Sequence, residues 1–366
     1  MYTIAQREVN RMPKPLNESR ILVIRLSAIG DVLHASNVVR NLKRHAPGCH
    51  VTWLASPPAS ELLEGNPDID RLLVWDRRPM DAAFGSRHFL DALSYLKEAR
   101  ALLKPYDFDL TLDLQGLFLT GILARFSGAA RRIGIHERHE GNSFFMTEMA
   151  PDTGNPHKIH RYMTALEPLG ITDSVVGTPL SLPHGMQEFA QEFWLEHGIL
   201  PSHPILMVNV RTTWPDKNWS PKSFGTALQS VPSSVQVVFC GAGQDVPYVE
   251  EAQKYVRRTL SIAGETSLME LAALFRSATL LLSGDTGPLY IAEAVGLSTL
   301  SLWGPTSPDI YGPLTKGHHF IRSAHSCTGC CKRKCRHKTN ACMRAIRPEV
   351  VAEKLRELLV PSQPST

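Results

Sequence analysis

The sequence predicts an α/β protein built of two doubly wound, Rossmann-like domains, and three observations predict it. Short β-rich runs alternate with amphipathic stretches of helical length. The runs are continuously apolar, which is how parallel strands read when helices cover both faces of their sheet. The alternation occurs twice, on either side of a stretch rich in Pro, Gly, Ser and Thr. A chain of 366 residues has room for two such units at roughly 150 residues each.

Taken in order, residues 1–19 carry charge of both signs and no apolar core, so they read as a flexible leader and not as a secretory signal. The first domain is expected over 20–175, with strands ILVIRL (21–26), VTWLA (51–55), RLLVWD (71–76), DLTLDL (109–114) and RRIGI (131–135). A helical segment from about His157 to Leu169 follows, and then ITDSVVGTPLSLPHG lacks helical period, which places a linker near 170–185. The second domain is expected over 176–347, with strands PILMVNV (204–210), VQVVFC (235–240), LSIAG (260–264), TLLLSG (279–284) and TLSLWG (299–304). Gly287 and Pro288 start the helix before the last of these, since a proline there has no N–H to lose. Residues 348–366 are expected to form a closing helix and tail that pack back on the first domain.

Composition excludes several classes. Apolar residues are 43% and charged residues 20%, a globular balance and not a disordered or fibrous one. The net charge of +4, from 39 basic and 35 acidic residues, is too small to mark a nucleic-acid binder, so no nucleic-acid partner is expected. No apolar stretch approaches the roughly 18 residues of a bilayer span, and the expected location is the cytoplasm.

The first strand runs into LSAIGDVLHAS, which puts Gly30 and Asp31 at the carboxyl edge of the sheet, where open α/β sheets bind ligands. Two compatible readings follow: a tight turn with Asp31 capping a helix that begins at Val32, and a reactive carboxylate. The turn lacks G-x-G-x-x-G, Val246 breaks the same fingerprint in CGAGQDV, and no Walker A segment is present, so a phosphate must be held by other means. In SGDTGPLYIAEAVG a strand ends where a helix begins, and the N–H groups of Thr286 and Gly287, the Thr286 hydroxyl and the helix dipole would converge on an anion. After the strand ending at Val210, RTTWPDKNWSPKSF brings Arg211, Thr212, Thr213, Lys217 and Trp219 to the same edge, with Lys217 a compact charge for a leaving phosphate.

Asp68 with Asp70 and Asp107 with Asp109 form two D-x-D pairs, but NPDID and KPYDFD are turn-rich, and turn chemistry explains them without a catalytic metal. Of seven cysteines, five lie between Cys327 and Cys342, in a stretch with no acidic residue from Ile321 to Pro348. Cys327, Cys330, Cys335 and Cys342 could supply four sulfur ligands to a structural zinc or iron, although the spacings are not those of a common zinc ribbon. Unbridged thiols on a basic loop are the alternative.

Six ordered segments from about Arg20 to Leu359 together resemble the ADP-heptose:lipopolysaccharide heptosyltransferases, inverting glycosyltransferases of the GT-B fold. They are ILVIRLSAIGDVLHAS, NPDIDRLLVWD, YDFDLTLDLQG with Gln115, DKNWSPKSF, SGDTGPLYIAEAVG, and LWGPTSPDIYGP followed by the cysteines. The resemblance implies two domains facing across a cleft, the first holding a lipopolysaccharide core acceptor and the second ADP-heptose. It implies Asp31 as general base, Lys217, Thr286 and Gly287 on the donor diphosphate, and no cofactor for catalysis. Thr212, Thr213 and Asp285 are expected beside the donor, and Gly30, Gln115, Arg131 and Arg132 beside the acceptor. Membrane contact is expected to be peripheral, at the cytoplasmic face of the inner membrane. Tyr290 departs from the family, which commonly has His there. The alternatives are transfer from another nucleotide-sugar or to a protein acceptor, and a non-catalytic sugar-nucleotide-binding protein.

Overall fold

The computed structural model describes residues 14–85, 89–136, 140–177 and 180–359. They fall into two compact units that divide between Ser181 and Leu182. The first contains β1 (Arg20–Ile24), α1 (Ile29–His45), β2 (His50–Ala55), β3 (Arg71–Val74), α2 (Arg78–Gly85), α3 (Phe89–Leu103), β4 (Leu110–Asp113), α4 (Phe118–Phe126), β5 (Arg131–Gly134), β6 (Glu148–Met149) and α5 (Lys158–Met163). The second contains α6 (Met186–Glu196), β7 (Ile205–Asn209), α7 (Pro221–Leu228), β8 (Gln236–Cys240), α8 (Val246–Gln253), β9 (Thr259–Ser261), α9 (Leu268–Arg276), β10 (Leu280–Gly284), α10 (Gly287–Ala294), β11 (Thr299–Trp303), α11 (Pro308–Tyr311), β12 (His318–Arg322), α12 (Ala341–Arg344) and α13 (Pro348–Leu359).

Both sheets are six-stranded, in the orders β3-β2-β1-β4-β5-β6 and β12-β11-β10-β7-β8-β9, and every recorded strand pair is parallel. In β1 the side chains of Ile21 and Val23 join one apolar cluster with α1 and α5, while Leu22 and Ile24 join another on the opposite face. A period of two divided between two cores is why the strand reads as one unbroken apolar run. Chain order reverses between β1 and β4 in the first sheet and between β7 and β10 in the second. Those reversals fix where ligands go, because the loops leaving the two central strands diverge and open a crevice at the carboxyl edge.

Several boundaries differ from expectation. Residues 1–13 of the expected leader lie outside the described residues. Lys14 to Ser19 are pinned: Lys14 pairs with Asp109, and the side chain of Asn17 accepts from the N–H of Gly48. The first unit extends past the expected boundary at 175 because Asn37 and Asn41 of α1 accept the N–H groups of Gly177 and Val175, each at 2.8 Å. The helix expected over 157–169 is α5 followed by a 3₁₀ turn, Thr164–Leu169, which contains Pro168. The closing helix belongs to the second unit: Val351, Ala352, Leu355 and Leu359 of α13 are buried in its core with Leu206, Phe224 and Leu228. Residues 360–366 of the expected tail lie outside the described residues. Strands β6 and β12 were not expected; the first has two residues, and the second is a half-exposed sheet edge without an apolar run.

Candidate functional site

In the first unit, α1 begins at Ile29, so Asp31 lies inside the first turn and does not cap it; the cap position is Ala28. The turn leaves β1 at the reversal point, and a carboxylate in the first turn of a 17-residue helix is favoured by the helix dipole. Both oxygens of Asp31 are held. The Tyr162 hydroxyl donates to Oδ1 at 2.6 Å, and Nη2 of Arg25 lies 2.6 Å from Oδ2. Burial opposes the charge of Asp31, but Arg25, the Tyr162 hydroxyl, His34 and Lys158 outweigh it, and its carboxyl is held below the usual carboxylate range. Its side chain remains 30% exposed, against 9% for Arg25.

Arg25 is itself anchored, with Nη1 donating to the Leu114 carbonyl at 2.9 Å and the guanidinium over the Tyr162 ring at 5.2 Å. Gln115, leaving β4, accepts the N–H of Leu26 at 2.7 Å, which ties together the two loops at the reversal point. Below it, buried Asp113 accepts from the N–H groups of Gln115 and Gly116 and from Asn142. Burial pushes the Asp113 carboxyl up, against those hydrogen bonds.

Gly30 and Gln115 thus share Asp31's edge, whereas Arg131 and Arg132 do not. They begin β5, level with Leu110 and Thr111 at the amino ends of the strands. Arg131 makes a two-pronged pair with Glu148 at 2.6 and 2.9 Å, and Nε of Arg132 donates to the Phe145 carbonyl. Both are engaged at the β5–β6 edge, at the opposite ends of the strands from Asp31.

In the second unit the loop after β7 and the turn after β10 meet at the other reversal point. Gly284 allows it: a Cβ there would lie 2.9 Å from the Thr212 methyl. Lys217 Nζ donates to both the carbonyl and Oδ2 of Asp285, each at 2.9 Å, and stands 4.5 Å from the centre of the Trp214 ring. Tyr290 donates to the other Asp285 oxygen at 2.6 Å. Thr212 is committed to the loop through Asn218 and the Trp214 carbonyl, while Thr213 is exposed. Thr286 is the extended cap residue of α10 and makes no side-chain cap bond, and the helix starts at the carboxyl edge of β10. Trp219 is structural: it is buried, and its indole donates to the Ile346 carbonyl.

All seven cysteines are free thiols. Among the described residues no group of three His, Cys, Asp or Glu side chains converges to hold a metal ion. The sulfurs have other surroundings: Cys342 is buried in the second core, Cys327 Sγ lies 3.2 Å from Nδ1 of His325, and Cys335 takes backbone N–H groups of Thr339, Asn340 and His337. The thiols from Cys327 to Cys335 are unbridged on a basic loop, and Cys342 lies within electrostatic reach of Cys327, Cys330 and Cys335. That loop braces the Lys217 turn, since the N–H of Cys335 donates to Asp216 at 2.5 Å and Asn340 donates to the Pro215 carbonyl.

Two residues at Asp31 went unread in the sequence. Arg25 shows there only as a charge interrupting an apolar run, and Tyr162 lies 131 positions away from Asp31.

Two Rossmann-like units in one chain, each with its open edge at a strand-order reversal, are the parts of the GT-B fold. The family model for glycosyltransferase family 9 (heptosyltransferase) matches residues 97–341, and the chain belongs to that family. It is 27% identical over 260 residues to the lipopolysaccharide core heptosyltransferase OpsX of Haemophilus influenzae, covering 69% of this chain and 70% of that one. A crystal structure of a family 9 glycosyl transferase from Veillonella parvula superposes with a TM-score of 0.84 at 25% identity, over 96% of this chain and all of that one. The ADP-heptose lipopolysaccharide heptosyltransferase II of Escherichia coli shares the fold, with a TM-score of 0.74 at 19% identity over 93% and 98% of the two chains.

Proposed function

We propose that this glycosyltransferase moves a heptose from ADP-heptose to a sugar hydroxyl of a lipopolysaccharide core acceptor, with inversion. The acceptor oxygen bonds to the anomeric carbon, its proton passes to Asp31, and the bond from that carbon to the diphosphate breaks, its electron pair leaving with ADP. Held low in pKa, Asp31 is ionised at neutral pH and ready to take the proton. Lys217 uses two of its three N–H donors on Asp285, and the third is directed to a diphosphate oxygen. Thr286 and the start of α10 supply the remaining donors, and no metal is needed to carry the leaving charge.

The observation that carries the reading is the contrast between the two reversal points: one presents an ionised carboxylate, the other a lysine beside a helix start. Gln115 and Gly30 are the acceptor-side residues in this reading, and Thr212, Thr213, Asp285 and Gly287 the donor-side ones. Calorimetry with ADP, UDP and GDP tests the donor. The account expects ADP to bind at least tenfold more tightly than the other two; equal affinities, or preference for UDP or GDP, would remove ADP-heptose as the donor.

A further inference from the structure

We propose that Arg25 and Tyr162 are positioning residues for Asp31, fixing the plane of its carboxylate and holding it ionised while one lone pair of each oxygen stays open to an acceptor hydroxyl. The proposal rests on the reading of Asp31 as general base. Its geometry is a clamp from two elements, with the guanidinium at the end of β1 on Oδ2 and the phenol of α5 on Oδ1, both at 2.6 Å. Each carboxylate oxygen accepts two hydrogen bonds, so the clamp occupies half of the carboxylate's capacity and restricts its rotation. The clamp is rigid in turn: Arg25 is fixed by the Leu114 carbonyl, and Trp53 donates to the Arg25 carbonyl at 3.1 Å.

The groups around Asp31 are Arg25, with Asp113 behind it, His34 from α1, and Lys158 and Tyr162 from α5. The rings of His34, His157 and His160 follow one another at 6.1 and 5.9 Å. The 3₁₀ turns 59–63 and 164–169 also pack against α1, and their titratable residues are Glu61 and Glu167. Arg25 is the cation in direct contact with the carboxylate. An opposite charge at this distance lowers a carboxyl pKa by about one to three units, which keeps the base charged into acid at some cost in basicity.

The test is the pH profile of kcat/KM for Arg25→Gln, Tyr162→Phe and Arg25→Lys, with ADP affinity as the folding control. Arg25→Gln is expected to move the acid limb up by about one pH unit or more, with less loss on the alkaline plateau than at acid pH. Tyr162→Phe should move it less, and Arg25→Lys should restore most of it. An acid limb that stays in place in Arg25→Gln, with activity lowered equally at every pH, would reduce Arg25 to packing and overturn the proposal. Carboxyl NMR titration of Asp31 in the wild type and Tyr162→Phe reads the clamp without turnover: an unchanged midpoint overturns it even if Arg25→Gln fails to fold. Full turnover in Asp31→Asn would instead sink the base assignment, a separate outcome from the NMR result.

Discussion

Lys217 and Asp285 form an ion pair at 2.9 Å in which the side chains are only 11% and 7% exposed. Removing the ammonium leaves Asp285 with the Tyr290 hydroxyl, and a buried charge stripped of its partner costs about 3 kcal/mol. Lys217→Ala is therefore expected to lower stability by that order in the wild-type background and by much less in Asp285→Asn. Denaturant unfolding of the four proteins of that cycle measures it; equal losses in both backgrounds would contradict a coupled pair. In the same variant ADP binding should weaken more than adenosine binding, because the proposed partner is phosphate, and equal weakening would point to the base or to the fold. Tyr290, the departure from the family's usual His, has a place here as the second holder of Asp285. The placement of Asp31, Lys217 and Thr286 at the carboxyl edges of the two sheets was legible in the sequence, because each follows a central strand whose position comes from the strand order. That of Arg25 and Tyr162 was not, because a contact spanning 131 positions leaves no local trace. The partners of Arg131 and Arg132, Glu148 and the Phe145 carbonyl, likewise left no local trace, because they are fixed only by folding.

At the scale of elements, every buried strand declared itself, and two of the four sheet edges, β6 and β12, did not. The eight interior strands read as strands in the sequence, as did β3 and β9 at two of the four edges, whereas the edge strand β12, HHFIR, is half-exposed and carries a titrating group at its first residue. His318 sits between the hydroxyls of Thr299 and Thr315, each 2.9 Å from a ring nitrogen, and burial with His319 beside it lowers its pKa from 6.5 to about 4. The unfolded chain thus binds more protons than the folded one between those values, so stability is full above pH 6.5 and falls as the pH drops toward 4. His318→Gln, which keeps a neutral polar side chain, is expected to flatten that slope. Urea midpoints at pH 7.5 and pH 5 check it, and an equal drop in variant and wild type would show that β12 does not contribute to acid sensitivity.

For the whole molecule, the proposed acceptor lies at a membrane, and no described helix is long and apolar enough to cross one. We propose that contact with that membrane is peripheral. Arg77, Arg78, Arg131 and Arg322 are engaged with Asp81, Asp76, Glu148 and Asp309, whereas Lys332, Arg333, Lys334, Arg336 and Lys338 are exposed and form the surface proposed to meet it. Each such charge is worth roughly 1 kcal/mol near an anionic leaflet, screened over about 8 Å at physiological salt. Co-sedimentation with anionic vesicles should fall as salt rises and should be lost when Lys332, Arg333 and Lys334 are replaced by Glu; binding indifferent to both would exclude this surface.

The central claim is heptosyl transfer with Asp31 as base, and mass spectrometry of a core acceptor incubated with the protein and ADP-heptose tests it most directly. The account predicts an acceptor heavier by one heptosyl residue, one ADP released per transfer, and a loss of about 100- to 10,000-fold in Asp31→Asn with ADP affinity kept. An acceptor left unchanged by the wild-type protein under conditions where ADP binds, or an Asp31→Asn variant within a few-fold of wild type, would contradict it.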